Sequence, residues 1–389
     1  MIRAASFLAA LLVAALPAWA FDTPAKSAIV FDVNTDQTLM EKNADMALPP
    51  ASMSKLMTLN MVFEALEDGR LSLDEPVPVS THAASYGGST MFLETKDRPT
   101  VEQLIRGVIV LSGNDASTAL GERLSPDGSE AGFARLMTQR AIELGMTNST
   151  FANANGWPAA GHRMSMRDLA ILGKRLVTKF PKYYGYFAER EFQYDDSPVA
   201  NRFNRNPLLK LNIGADGLKT GHTQEAGYGL VGSAIQNGRR IIFVFSGLNS
   251  EEQRAQEAER ITNWAFNQFV EKQLFEKGVP LTKAEVWMGD AASVNMATTQ
   301  DVKALIPVLG RDGVSAKINY VGPLDAPIEK GQEIATLIVT VPGFADVEHP
   351  LVATETVPAG GFVVKVRTAA TVLFRQLTGR LQSQAGTLF

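Results

Sequence analysis

Between residues 21 and about 275, strand-forming segments lie at the two ends and helix-forming segments lie between them. At the N-terminal end, Ser27 to Val33 is β-rich, Asn34-Thr35-Asp36 turns, and Gln37 to Glu41 returns. At the other end Gly217 to His222 is short and bounded by glycine. Gly227 to Ile235 and Arg240 to Gly247 follow, joined by Asn237-Gly238, a strong hairpin signal. The middle is helical. Met53, Leu56, Met57, Met61 and Val62 recur at helical spacing over Ser52 to Leu66. Thr100-Val-Glu-Gln103 has the form of a capping box and opens a helix to about Val110. Further helices are predicted from about Asp115 to Leu124, from Ser129 to a C-cap at Gly145, and from Ser165 to about Thr178. One with Trp264, Phe266 and Phe269 runs from about Ser250 to Lys272. Strands at both ends with helices between them predict an α+β domain whose antiparallel sheet joins the chain ends.

The rest of the chain divides by composition. Residues 1–20 carry Arg3, an apolar run from Phe7 to Leu16, and Ala18-Trp19-Ala20, the form of a secretory signal peptide cut after Ala20. That run is shorter than the ~20 residues of a spanning helix. The α+β domain is expected over residues 21–274 and a small all-β domain over 275–358, where β-rich runs such as Glu333 to Val341 alternate with Gly-Pro turns. In the last segment, 359–389, a helix would place Phe362, Val363, Val366, Ala370, Leu373, Phe374, Leu377 and Leu381 along one side. Lys365, Arg367 and Arg375 flank that stripe and no acid is present, the pattern of an amphipathic helix lying on an anionic membrane surface. A secreted chain with this tail is expected in the periplasm, attached peripherally to the outer face of the cytoplasmic membrane.

Several classes are excluded. There is no cysteine, so no disulfide, no thiolate metal site and no lipidated N-terminal cysteine. The four histidines (His82, His162, His222, His349) are scattered, with no metal-binding spacing, so neither metal nor cofactor is expected. A net charge of −4 lacks the basic footprint of a nucleic-acid-binding protein.

Three short motifs carry chemistry. Ser52-Met-Ser-Lys55 sets a hydroxyl and an amine one helical turn apart. Serine becomes a useful nucleophile once a base takes its proton, and a lysine whose pKa is lowered by burial or a neighbouring cation can be that base. Ser112-Gly113-Asn114 falls where one helix stops and the next starts, so a hydroxyl and an amide project from a turn. In Lys219-Thr220-Gly221, strand alternation puts Lys219 and Gly221 on one face and Thr220 on the other. A cation and a hydroxyl there suit the carboxylate of a C-terminal peptide, and the glycine would let the substrate backbone approach. Each motif alone is a common short string. Their order and placement together are specific.

In these motifs the chain resembles the low-molecular-mass penicillin-binding proteins of the D-alanyl-D-alanine carboxypeptidase type, which share SxxK, SxN and KTG. The likeness extends to Leu48-Pro-Pro-Ala51, Gly88-Ser-Thr-Met-Phe-Leu93, Leu111-Ser-Gly-Asn-Asp-Ala116, Leu144-Gly-Met146, Asn204-Arg-Asn206, Asp216-Gly-Leu-Lys-Thr-Gly-His-Thr223 and Ala226-Gly-Tyr228. The resemblance implies a β-lactamase/transpeptidase-like domain that removes the terminal D-alanine from peptidoglycan pentapeptides and is acylated by β-lactams. It assigns Ser52 as nucleophile and Lys55 as general base, aided by Ser112 and Asn114. Lys219, Thr220, Gly221, His222 and Arg254 would bind substrate, with the backbone N–H groups of Ser52 and His222 as the oxyanion hole; His162 would be structural. Three other readings remain. A class A β-lactamase carries Ser-Asp-Asn and a dedicated glutamate, neither of which is found here. A D,D-endopeptidase usually lacks such a β domain and tail, and a silent wall-binding scaffold would be expected to have lost a reactive group.

Overall fold

The computed structural model describes residues 21–195, 202–308 and 313–361. Its first sheet joins the two ends of the leading domain, as the strand distribution predicts. β1 (Ser27–Asp32) and β2 (Thr38–Lys42) form an N-terminal hairpin, and β3 (Ala215–Thr223), β4 (Gly227–Gln236) and β5 (Arg239–Leu248) form a meander. The order is β2-β1-β5-β4-β3, antiparallel throughout, with Val30 opposite Phe243 where the ends pair. Turn chemistry shapes both hairpins. Asp32 Oδ1 accepts from the backbone N–H groups of Asn34 and Thr35 at 3.1 and 2.9 Å. Asn237 and Gly238 take φ of 51° and 80°, the left-handed pair that a type I′ turn requires.

Both faces of the sheet are covered. Along β5, Ile242 and Val244 pack into the larger, helical core, while Ile241, Phe243 and Phe245 pack on the opposite side. That split is the two-residue period of a strand. The helices are α1 (Lys55–Glu67), α2 (Thr81–Ala84), α3 (Val101–Arg106), α4 (Asn114–Leu124), α5 (Glu130–Glu143), α6 (Met166–Lys179), α7 (Pro181–Tyr184) and α8 (Glu251–Asn267). α8 covers the second face through Ala258, Ile261 and Ala265. α1 is buried on nearly every side, at Leu56, Met57, Leu59, Val62, Phe63 and Ala65, as befits a helix apolar all round. Serines cap α5, α6 and α8, and the Thr100–Gln103 capping box forms both of its bonds, at 3.2 and 2.9 Å.

Three elements differ from expectation. Ser52 lies in a 3₁₀ turn, Ala51–Ser54, and α1 begins at Lys55. The helix opened by Thr100 widens after Arg106 into a π-helical turn, Gly107–Leu111, ending at Ser112 in left-handed backbone geometry; such turns recur at functional sites. α8 stops at Asn267 rather than Lys272, because Phe269–Phe275 becomes strand β6 and pairs with β9 (Val302–Pro307). Phe269 is buried edge-on against Trp264.

The remaining strands are β7 (Thr282–Trp287), β8 (Ser293–Thr298), β10 (Ser315–Asn319), β11 (Leu324–Asp325), β12 (Glu333–Thr340) and β13 (Val347–Ala353). They form a six-stranded sheet in the order β10-β12-β13-β8-β7-β11, around a core that includes Val294, Leu337 and Leu351. Residues 1–20 and the apolar stripe from Phe362 to Leu381 lie outside the described residues.

Candidate active site

Three elements converge on one cleft: the turn entering α1, the turn between α3 and α4, and β3. Lys55 is wholly buried. Its Nζ donates to Ser52 Oγ at 2.9 Å, to Asn114 Oδ1 at 2.7 Å and to the Asn155 carbonyl at 2.5 Å. Three acceptors use every N–H of an ammonium. Burial pushes the Lys55 pKa down to about 7, aided by the Arg205 guanidinium and opposed by Asp115 and Glu130. Such an amine is part neutral at neutral pH. When it is neutral, donation to Asn114 and Asn155 leaves its lone pair facing the Ser52 hydroxyl.

The second lysine does a different job. Lys219, also buried, donates to Ser112 Oγ at 2.9 Å and to the Thr220 carbonyl at 3.3 Å. Burial lowers its pKa, with Lys55, Arg205 and Arg254 adding repulsion. Ser112 therefore sits beside the Lys219 amine, held at φ 62° by the end of the π turn. Asn114 opens α4; its Nδ2 donates to the Gly87 carbonyl at 2.9 Å, which turns Oδ1 towards Lys55. Asp115 is buried and accepts from the N–H groups of Met91 and Leu93, fixing the loop that carries Gly88 and Ser89.

The cleft has a volume of about 730 Å³, and Ser52, Asn114, Ser89, Trp157 and His222 are on its wall. His222 is exposed and stacks on Tyr228, ring centroids 3.9 Å apart. Arg254 is buried, its guanidinium 5.6 Å from the same tyrosine ring, rather than lying on an exposed helix face. Thr220 is buried. Gly221 differs from the expectation of admitting substrate backbone. A Cβ there would lie 2.9 Å from the Pro50 carbonyl and 3.0 Å from Met53 Cγ, so this glycine lets β3 pass the turn that holds Ser52. His162 is buried outside the Ser52–Lys55 contacts, its Nδ1 accepting from Ala152 N–H at 3.3 Å. Burial, then repulsion from Lys55, pushes its pKa down to about 4, so it is neutral at pH 7.

Three participants were given no role by the sequence motifs. Asn155 offers a backbone carbonyl, Arg205 donates to Ser89 Oγ across the mouth, and Trp157 walls the cleft.

This arrangement is matched by a model of the D-alanyl-D-alanine carboxypeptidase family over residues 14–250, and residues 269–359 match the C-terminal domain of penicillin-binding protein 5. The chain belongs to the D-alanyl-D-alanine carboxypeptidase family. Its activity is that of a serine D-Ala-D-Ala carboxypeptidase. D-alanyl-D-alanine carboxypeptidase DacF of Bacillus subtilis is 35% identical over 346 residues, covering 87% of this chain and 87% of the relative. DacC of Escherichia coli is 35% identical over 363 residues, covering 91% and 90%. Among solved structures, penicillin-binding protein 5 from Haemophilus influenzae superposes with a TM-score of 0.79 at 31% identity, covering 87% of this chain and all of that one. Ampicillin-bound penicillin-binding protein D2 from Listeria monocytogenes covers 62% of this chain and 97% of its own, with a TM-score of 0.56 at 32% identity.

Proposed function

We propose that this carboxypeptidase acts on peptidoglycan pentapeptides through an acyl intermediate on Ser52. The observation that carries this reading is the buried Lys55 amine 2.9 Å from Ser52 Oγ, with its pKa lowered to about 7. Lys55 takes the hydroxyl proton as Ser52 Oγ bonds to the penultimate D-alanine carbonyl carbon. The carbonyl becomes an oxyanion, received by the backbone N–H groups of Ser52 and His222; such donors commonly contribute several kcal/mol of barrier reduction. Collapse breaks the C–N bond, and the leaving amine takes the proton that Lys55 accepted. Water then attacks the ester, giving its proton back through Lys55, and Ser52 is regenerated. Lys219, Thr220 and Arg254 hold the terminal carboxylate. A β-lactam presents a similarly placed carboxylate and amide carbonyl, so the same serine opens its ring. Incubating the protein with a fluorescent penicillin, mapping the adduct by peptide mass, and assaying D-alanine release from a D-Ala-D-Ala pentapeptide tests this. A Ser52 adduct with D-alanine release is expected. Rapid penicillin turnover without D-alanine, or an adduct on another residue, would overturn the reading.

The same proposal places the mature enzyme in the periplasm, exported by residues 1–20 and held on the membrane by 359–389. Its support is the leader pattern and the apolar stripe with basic flanks. The chain from residue 21 to 389 is expected to sediment with vesicles containing anionic lipid, and one ending at residue 361 to stay in solution. Equal partitioning of the two would remove the tail as anchor.

A further inference from the structure

We propose that Glu130 is a positioning residue for acylation, fixing the Asn155 carbonyl against which the Lys55 amine is oriented. This inference rests on the Ser52–Lys55 reading and deepens it. Of the acceptors around Lys55, Asn114 Oδ1 stands on a helix, but the Asn155 carbonyl belongs to an irregular loop. Something other than secondary structure must hold it in place.

Glu130 supplies that hold. It is the first residue of α5, where the helix dipole favours an anion. Its Oε1 accepts from Ala154 N–H at 3.0 Å, Thr118 Oγ1 at 3.0 Å and Asn155 Nδ2 at 3.3 Å. Its Oε2 accepts from Tyr86 O–H at 2.7 Å and pairs with His82 Nε2 at 2.8 Å. Thr118 Oγ1 also accepts from Asn155 Nδ2 at 3.1 Å, so the buried Asn155 side chain is clamped between α4 and α5. One carboxylate thus ties α2, α4 and α5 to residues 154–155. Tyr86 meets Trp157 edge-on at 5.9 Å, which carries the same tie to the cleft wall.

A glutamine cannot replace this carboxylate. Its amide nitrogen would face a donor at whichever end it occupies, and a donor left unpaired in a buried network is costly. Glu130 has an electrostatic effect as well. Lys55 feels repulsion from Arg205, and its cation is favoured by Asp115 and Glu130. Lys219, from β3, and His162, from the loop between α5 and α6, also couple to Lys55; Glu122, His82 and Tyr86 face Glu130 itself. Removing the Glu130 charge disfavours the Lys55 cation, so the neutral base persists to lower pH.

The test is the rate of acylation by a fluorescent penicillin against pH, for Glu130→Gln and Asn155→Ala, with labelling stoichiometry at saturation counting folded sites. Both variants are expected to label to the parent stoichiometry, with the plateau rate down roughly tenfold to a hundredfold, the scale of a lost supporting contact. Glu130→Gln should also shift the acid limb to lower pH, which a loss of folding alone would not do. A plateau rate equal to the parent's, or a slower one with an unmoved acid limb, overturns the proposal. Where Glu130→Gln fails to fold, Asn155→Ala decides: it keeps the carbonyl and removes the tether, and parent-rate labelling would sink the idea. Labelling of Ser52 in the parent tests the underlying reading separately.

Discussion

A Lys55→Met variant is expected to form the acyl-enzyme at least about a thousandfold more slowly than the parent, while remaining folded. General-base assistance commonly contributes about 10²–10⁴ in rate. Here the base also orients the nucleophile. Lys55 is fully buried, and methionine fills nearly the same volume without a cation to desolvate. The Asn114 and Asn155 oxygens lose a donor, at roughly 1–3 kcal/mol each, a load the large α1 core can carry. Lys219 does not substitute, because its amine is spent on Ser112 and the Thr220 carbonyl. The parent carries a matching pH signature. Its Lys55 pKa is depressed to about 7, and only the neutral amine accepts the Ser52 proton, so acylation should fall as pH drops through about 7 and level off above it. The measurement is the second-order rate constant for penicillin labelling of both proteins across pH. A parent rate flat through neutrality, or a Lys55→Met rate near the parent's, would remove Lys55 as the base.

What was legible in the sequence follows from where each kind of information resides. Ser52, Lys55, Ser112, Asn114 and Lys219 could be named because their chemistry is in their side chains, at spacings that a helix, a turn and a strand convert into geometry. The sheet was legible for a similar reason: Asn237-Gly238 and the β-rich run from Arg240 to Gly247 are local signals. Asn155 was not, because its contribution is a backbone carbonyl, which residue type does not encode. Glu130 looks like an ordinary acid in the first turn of a capped helix. Its role is visible only once partners 12 to 48 residues away are brought together. Gly221 was read by strand alternation as open to substrate, and only the packing against Pro50 and Met53 shows what occupies that side. At Phe269 and Val270 helix and strand are both locally tenable, and pairing with Ile306 and Pro307 decides.

Gly156→Ala is expected to destabilise the enzyme by about 3 kcal/mol or more and to cripple acylation in whatever remains folded. Gly156 adopts φ +82°, and a Cβ there would lie 1.9 Å from the Ala51 carbonyl oxygen and 2.7 Å from Ser54 Oγ. Left-handed backbone at a non-glycine residue costs roughly 1–2 kcal/mol, and overpacking a core about 1–3 kcal/mol more. The obstructing atom is main chain, so no rotamer change relieves the clash. The segment that must yield is Ala51–Ser54, itself anchored by φ 50° at Ala51 and carrying Ser52. On the other side Gly156 follows Asn155, whose carbonyl takes the third Lys55 hydrogen bond. Nucleophile and base are therefore displaced together by one methyl group. Gly145→Ala separates the two costs. Gly145 has φ +80° but nothing within 4 Å of its Cβ position, so its replacement should cost about 1–2 kcal/mol of strain and leave acylation at the parent rate. Urea denaturation and penicillin labelling of both variants check this. Equal stability losses at the two glycines, with labelling preserved in both, would show that the Ala51–Ser54 turn can move aside and that the contact between Gly156 and Ala51 does not position Ser52.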